Sequence, residues 1–168
     1  MEELNLLEQK EYRPNVAVII VNQSGKVLWC RRKQHDGWQF PQGGIDKGET
    51  PVEAVLRETK EEVGLDENDI EIVYESQQWF KYQVPKEKRK RYFKKDIFKG
   101  QKQKWFLAKL LSDDNKINLR ANMPVEFDKW VWANYWYPLH SVIAFKKEIY
   151  KKALLTILPE YNKLRKNL

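Results

Sequence analysis

Three glutamates, Glu58, Glu61 and Glu62, fall within the nine residues RETKEEVGL, in a chain that carries 31 Lys and Arg against 24 Asp and Glu. On a helix, side chains three and four positions apart are neighbours, about 5–6 Å between Cβ atoms, so these carboxylates repel one another. At a helix C-terminus the macrodipole adds about 0.3–1 kcal/mol against each of them. Two arrangements would offset that cost. In one the glutamates are a solvated face neutralised by Arg57 and Lys60. In the other they are ligands, because oxygen-only donors suit a hard divalent cation such as Mg²⁺ or Mn²⁺. The glycines of PQGGIDKG, immediately upstream, favour the second, since they let backbone approach a phosphate or a metal closely.

The helix that must carry the glutamates is well marked. Thr50 is placed to cap it, Pro51 takes the first helical position, and Glu53 completes a Thr-x-x-Glu capping box. Gly64 suits the left-handed residue that closes a helix, with Leu65 as the apolar contact behind it. These signals predict a helix over 51–63. Its core arc, at 100° per residue, contains Val52, Val55, Leu56, Thr59 and Val63.

Around this helix the sequence reads as a mixed α/β sandwich and one domain, residues 1–168, with a basic tail from about 159. NVAVIIV is a β-branched run expected to be buried on both faces, and VLWCRR pairs with it across the turn NQSGK. DIEIVYESQQWFKYQV forms one or two strands, QKQKWFLAKLL another, and KWVWANYWY a strand and turn whose aromatics pack in the core. The segment from Lys86 to Gly100, KEKRKRYFKKDIFKG, reads as a long exposed loop. PLHSVIAFKKEIYKKALLTIL reads as an amphipathic helix that Pro159 breaks, leaving a solvated tail. His35 and His140 carry no assigned role. No apolar run approaches the roughly 20 residues of a membrane span. The N-terminus lacks the basic-then-apolar pattern of a signal peptide. Cys30 is the single cysteine, so no internal disulfide forms; it reads as strand core, and the expected compartment is the cytoplasm. The net charge of +7 suggests an anionic partner without naming one.

The spacing then becomes specific. Gly43, Glu49, Arg57, Glu58, Glu61, Glu62, Gly64 and Leu65 stand in the order and intervals of the Nudix box, and the chain resembles the Nudix hydrolase family. Thr59 is the departure, where the box has a bulky aliphatic residue. The resemblance implies a Nudix α/β/α sandwich with a mixed β-sheet that hydrolyses nucleoside diphosphates linked to another moiety. It implies that Glu58, Glu61 and Glu62 hold Mg²⁺ or Mn²⁺, two or more ions per site, with the Gly43 carbonyl as a further ligand. Glu49 and Arg57 would pair to hold the loop against the helix.

Beyond the box, YRPNVAVIIVN, WQFPQGGI, GQKQKWFL, PVEFDKW, YWYP and VIAFKKEIYKK are similar to the bacterial RNA pyrophosphohydrolase group of that family, which includes enzymes described as dinucleoside polyphosphate hydrolases. That likeness implies removal of pyrophosphate from the 5′-triphosphorylated end of single-stranded RNA, a step that starts mRNA decay. By it, Glu126 completes the metal site and is, with Glu62, catalytic. Arg13, Gln101 and Tyr82 would line the phosphate pocket, and Arg32 and Phe145 would clamp a base. The partners implied are the RNA 5′ end and nucleotides, with no membrane and a monomeric enzyme. Two other readings stay open here: cleavage of free dinucleoside polyphosphates such as diadenosine tetraphosphate, and an RNA-binding module with a degenerate box. The intact glutamates argue against the last.

Overall fold

The computed structural model describes residues 10–35, 37–94 and 97–168. The signal-peptide reading of the N-terminus falls on residues 1–9, which lie outside the described residues, as do Lys95 and Asp96 of the basic segment.

β1 (Tyr12–Val21) is the centre of the molecule. It runs parallel to β7 (Gly100–Leu110) over ten paired residues, from Tyr12 opposite Gly100 to Val21 opposite Lys109. All other named pairs are antiparallel. β2 (Val27–Arg32) pairs with β1, with β3 (Trp38–Gln39) and with β8 (Phe127–Ala133), while β4 (Gln42–Gly44) adds to β1. β5 (Ile70–Glu75) and β6 (Phe80–Gln83) both pair with β7. The sheet is therefore mixed.

Side-chain alternation along β1 builds a core on each face. Val16, Val18 and Ile20 pack with Ala54, Val55 and Val63 of the helix α1 (Pro51–Val63). Ala17, Ile19 and Val21 pack with Ile149, Tyr150, Ala153, Leu154 and Ile157 near the C-terminus. A strand covered by a helix on either side needs apolar residues at every position, which is why NVAVIIV is continuous. The result is the expected α/β/α sandwich. Cys30 is fully buried in the first of these cores.

α1 has the bounds and caps expected of it. The Thr50 hydroxyl accepts from Glu53 N, the Glu53 carboxylate accepts from Thr50 N, and Gly64 closes the helix at φ +74°. Its buried arc is rotated from the expected one. Ala54, Val55, Thr59, Glu62 and Val63 are buried, whereas Val52 is 38% exposed. The rotation carries Glu62 inward, against the sheet.

Three expectations fail elsewhere. Residues 86–93 are not a free loop: Lys86–Lys88 form a 3₁₀ turn, α2 (Arg89–Tyr92) follows, and Phe93 is buried. Arg89 Nε donates to the Val84 carbonyl at 2.9 Å and Phe93 joins the core cluster of Phe80, Tyr82 and Val84, which fastens the segment to the domain. The long C-terminal helix does not begin at Pro138. α3 (Pro138–Ser141) ends where Val142 turns extended and bridges Trp38, and a 3₁₀ turn over Ala144–Lys146 leads into α4 (Lys147–Arg165). Nor does Pro159 break that helix or leave a solvated tail. Pro159 and Leu155, whose carbonyl would otherwise receive the missing N–H, both lie on the exposed side where water can serve that carbonyl. Tyr161 and Leu164 hold the opposite side down. Tyr161 stacks on Tyr135 at 4.1 Å and donates its hydroxyl to the Gly25 carbonyl at 2.5 Å. The aromatic series around β8 is also mixed: Tyr135 is buried, but Trp136 and Tyr137 are 39% and 50% exposed.

Candidate active site

One end of the sheet gathers most of the residues singled out from the sequence. Arg13 and Gln101 are paired neighbours at the starts of the parallel strands β1 and β7. Arg32 ends the antiparallel β2, Gly43 lies in β4, and Glu58 and Glu62 point from α1. Together with Glu126 they line a cavity of about 290 Å³. Glu61, Tyr82 and Phe145 are not part of its lining. Glu61 turns outward beside Arg57, with its side chain 40% exposed.

The glycines before α1 are there for close approach. A Cβ on Gly43 would overlap the Glu58 carboxyl group, and one on Gly44 would overlap the Arg13 guanidinium. Arg57 braces the same loop. Its Nε and Nη2 donate to the Glu49 carboxylate at 2.7 and 2.9 Å, and Nη2 also reaches the Gly44 carbonyl at 2.8 Å. Its Nη1 donates to Glu58 Oε1 at 2.8 Å. The Glu49–Arg57 pairing anticipated from the box is thus present, and Arg57's hydrogen bond holds the Glu49 carboxyl below its ordinary range.

The carboxylates are strained electrostatically. Burial, with the neighbouring charges of Glu58 and Glu126, pushes the Glu62 carboxyl well above the usual range. Burial likewise lifts Glu58 to about 7 despite Arg57, with Glu61 adding to the rise. One backbone donor, Gln42 N at 3.1 Å, serves Glu62 Oε2. Glu126 sits 3.7 Å from Arg32 Nε. Gln101 Oε1 is buried with no hydrogen-bond partner among the described residues. The oxygen donors of Glu58, Glu62, Glu126 and Gln101 suit a hard divalent cation. Among the described residues no three His, Cys, Asp or Glu side chains already converge on a common point. Arg57, holding both Glu58 and Glu61, occupies carboxylate oxygens that an ion would compete for.

On the far side of the cavity the anticipated clamp is divided. The Arg32 guanidinium lies 5.0 Å from the centre of the Tyr92 ring and donates to the Tyr92 hydroxyl at 2.8 Å. Tyr92 in turn meets the Phe145 ring edge to face at 5.6 Å. Tyr92 thus makes ring contacts with both members of the expected pair. Tyr82 is buried behind this layer, 6.1 Å from Phe145.

A family profile for the NUDIX domain matches residues 11–157. The chain belongs to the Nudix hydrolase family. It is 49% identical over 143 residues to an RNA pyrophosphohydrolase of Mannheimia succiniciproducens, covering 85% of this chain and 72% of that one. It is 46% identical over 156 residues to an RNA pyrophosphohydrolase of Francisella tularensis, covering 93% and 99%. Among solved structures it resembles the E. coli dihydroneopterin triphosphate pyrophosphohydrolase, with TM-score 0.68, 22% identity and 87% and 99% of the two chains covered. It also resembles a C. elegans Ap4A hydrolase complex, with TM-score 0.60, 19% identity and 83% and 93% covered. At these identities the structural likeness speaks for the fold alone.

Nudix hydrolases generally use divalent metal ions, in keeping with the oxygen donors on α1. The Nudix fold also brings residues into the cavity that sequence reasoning did not find: Asn15, His35, Gln39, Gln42, Arg91 and Tyr92. Behind it the Lys146 ammonium, fully buried, donates to Gln39 Oε1 at 3.0 Å. Burial, with Arg32 nearby, pulls Lys146 down to about 7. His35 is likewise lowered by burial and by Arg32. Arg91 and Tyr92 had no readable signal, lying in a run of like charges. Lys146 looked like one of several lysines on a helix. Among the described residues no helix is long and apolar enough to cross a membrane.

Proposed function

We propose that this protein is a divalent-metal-dependent hydrolase that removes pyrophosphate from the 5′-triphosphorylated end of RNA. The observation that carries the reading is one cavity in which Glu58, Glu62 and Glu126 face Arg13, Arg32 and Arg91. Carboxylates alone would repel a triphosphate and arginines alone would hold it without activating water. Similarity to RNA pyrophosphohydrolases along nearly the whole chain supports RNA as the substrate.

Arg13 and Gln101 bind phosphate oxygens, Arg13 as a charged fork and Gln101 through its amide group. Glu58, Glu61, Glu62, Glu126 and the Gly43 carbonyl would hold Mg²⁺ or Mn²⁺, two or more ions, which would neutralise phosphate charge and lower the pKa of an attacking water. Glu126 accepts that water's proton at a carboxylate oxygen. Water attack breaks one phosphoanhydride bond, leaving a 5′-monophosphorylated RNA and pyrophosphate. Arg32 and Phe145, with Tyr92 moved aside, hold a base next to the reacting phosphates, and Tyr82 supports Phe145 from behind. The protein acts as a single Nudix domain, monomeric and cytoplasmic, at the start of mRNA decay.

The test is turnover of 5′-triphosphorylated RNA and of diadenosine tetraphosphate side by side with Mg²⁺. RNA should be turned over with the higher kcat/KM, releasing pyrophosphate and monophosphorylated RNA. Preference for the dinucleotide would transfer the assignment to free dinucleoside polyphosphates. Inactivity on both would remove it.

A further inference from the structure

A second cavity, of about 520 Å³, opens beside the carboxylate cavity and shares Arg13, Arg91 and Tyr92 with it. That volume lies within the roughly 300–1,000 Å³ of ligand sites. Its cations come from three separate stretches of chain: Arg13 on β1, Lys47 in the loop before α1, and Lys90, Arg91 and Lys94 around α2. Among the described residues Lys47, Lys90, Arg91 and Lys94 have no ion-pair partner. Among the described residues Asp46 is the one carboxylate in the lining, and it already lies 3.6 Å from Arg57 Nε. Five like charges brought together cost energy unless an anion joins them. The three around α2 are held to the domain, since Phe93 is 6% exposed and Arg89 donates to the Val84 carbonyl.

The remaining lining is apolar and partly aromatic: Pro14, Ile45, Tyr92, Phe93 and Phe98. Cations beside rings are what a single-stranded nucleotide requires, charge for its phosphate and a face for its base. We propose that this cavity is a second nucleotide subsite, filled by a nucleotide unit joined to the phosphates in the carboxylate cavity. Lys47, Lys90 and Lys94 take its phosphate, and Phe93 and Phe98 of the aromatic floor take its ring. The inference rests on the hydrolase reading for what lies in the first cavity. Two sources offer this chemistry: a downstream nucleotide of the RNA, and the distal nucleoside of a dinucleoside polyphosphate.

The experiment replaces Lys47, Lys90 and Lys94 together by Ala, leaving every residue of the carboxylate cavity intact. A control replaces Lys116, Lys151 and Lys166, exposed and elsewhere, to match the lost charge. Binding is measured first, with chelator present so that nothing is cleaved, using triphosphorylated RNAs of one, two and about ten nucleotides and diadenosine tetraphosphate over a salt series. If RNA fills the subsite, the ten-nucleotide RNA binds the triple variant about tenfold more weakly. Its log–log salt slope flattens by about 0.7, the contribution of one phosphate contact on a single strand. The one-nucleotide ligand is held as before. If the distal nucleoside fills it, diadenosine tetraphosphate is the ligand that weakens. Equal weakening of every ligand, weakening by the control variant as well, or no change at all overturns the proposal. Turnover is then measured separately with Mg²⁺. A wild-type protein that binds long RNA through these lysines but cleaves none of the substrates keeps the subsite and loses the hydrolase reading.

Discussion

Glu62 is the buried carboxylate of the cluster, and its position separates activity from stability. Burying a carboxyl beside Glu58 and Glu126 destabilises the folded, metal-free protein, which is why its proton is held so tightly. Glu62→Gln keeps the shape and the acceptor for Gln42 N while removing the charge. Turnover with Mg²⁺ should fall about a thousandfold, which corresponds to about 4 kcal/mol of barrier. The metal-free melting temperature should hold or rise. Near-normal turnover at saturating Mg²⁺ would remove Glu62 from the site. Thr59, the one departure from the box, is a packing residue. It is fully buried and its hydroxyl donates to the Val55 carbonyl at 2.6 Å, a bond within the helix itself. Thr59→Val should therefore leave kcat unchanged and keep Tm equal or slightly higher. A loss of activity at unchanged Tm would make the hydroxyl part of the chemistry instead.

α4 shows why a proline does not fix where a helix ends. The missing N–H and the ring contact at Pro159 cost about 3 kcal/mol in an ordinary helix interior. Here the last turns bury Tyr161 and Leu164, and packing outweighs local propensity. Tyr161→Ala removes a 5%-exposed ring stacked on Tyr135 and should destabilise the protein by about 3 kcal/mol or more. In a chain of this size each kcal/mol is worth about 2–4 °C of Tm. Thermal melting measures it directly. A shift of under a degree would mean that residues after Pro159 are the loose tail the sequence suggests. α1 is the opposite case. Its caps are complete within the segment, so its bounds are legible locally.

At the scale of the whole molecule, pH couples to stability through Lys146. Its proton affinity falls from the ordinary 10.5 to about 7 because burial penalises the ammonium and Arg32 repels it. Below about pH 7 both folded and unfolded chains carry the charge, and the folded one bears the full penalty. Between about 7 and 10.5 the unfolded chain binds more protons than the folded one, so stability rises with pH, by at most about 1.4 kcal/mol per unit. Lys146→Met should flatten this rise. Denaturant midpoints of the metal-free wild type and variant at pH 7, 8 and 9 provide the comparison. Parallel curves would show that Lys146 stays charged throughout.

Where every partner of a signal lies within the same segment, the sequence alone determined the outcome. The capping box at Thr50, the left-handed Gly64 and the glutamates one turn apart are all local relations, and the resemblance to the Nudix box added the Glu49–Arg57 pairing. The run NVAVIIV likewise announces a strand covered on both faces. The tertiary structure decided what depends on which segment packs where. It rotated α1 so that Glu62 goes in and Glu61 goes out, folded the basic segment into a wall of the cavity, and put Tyr92 against both Arg32 and Phe145. It also buried Lys146 behind a site to which the chain order gives no link. A charged residue looks the same in sequence whether it faces water or the interior, since its neighbours across the fold, and not along the chain, set its solvation and its charge.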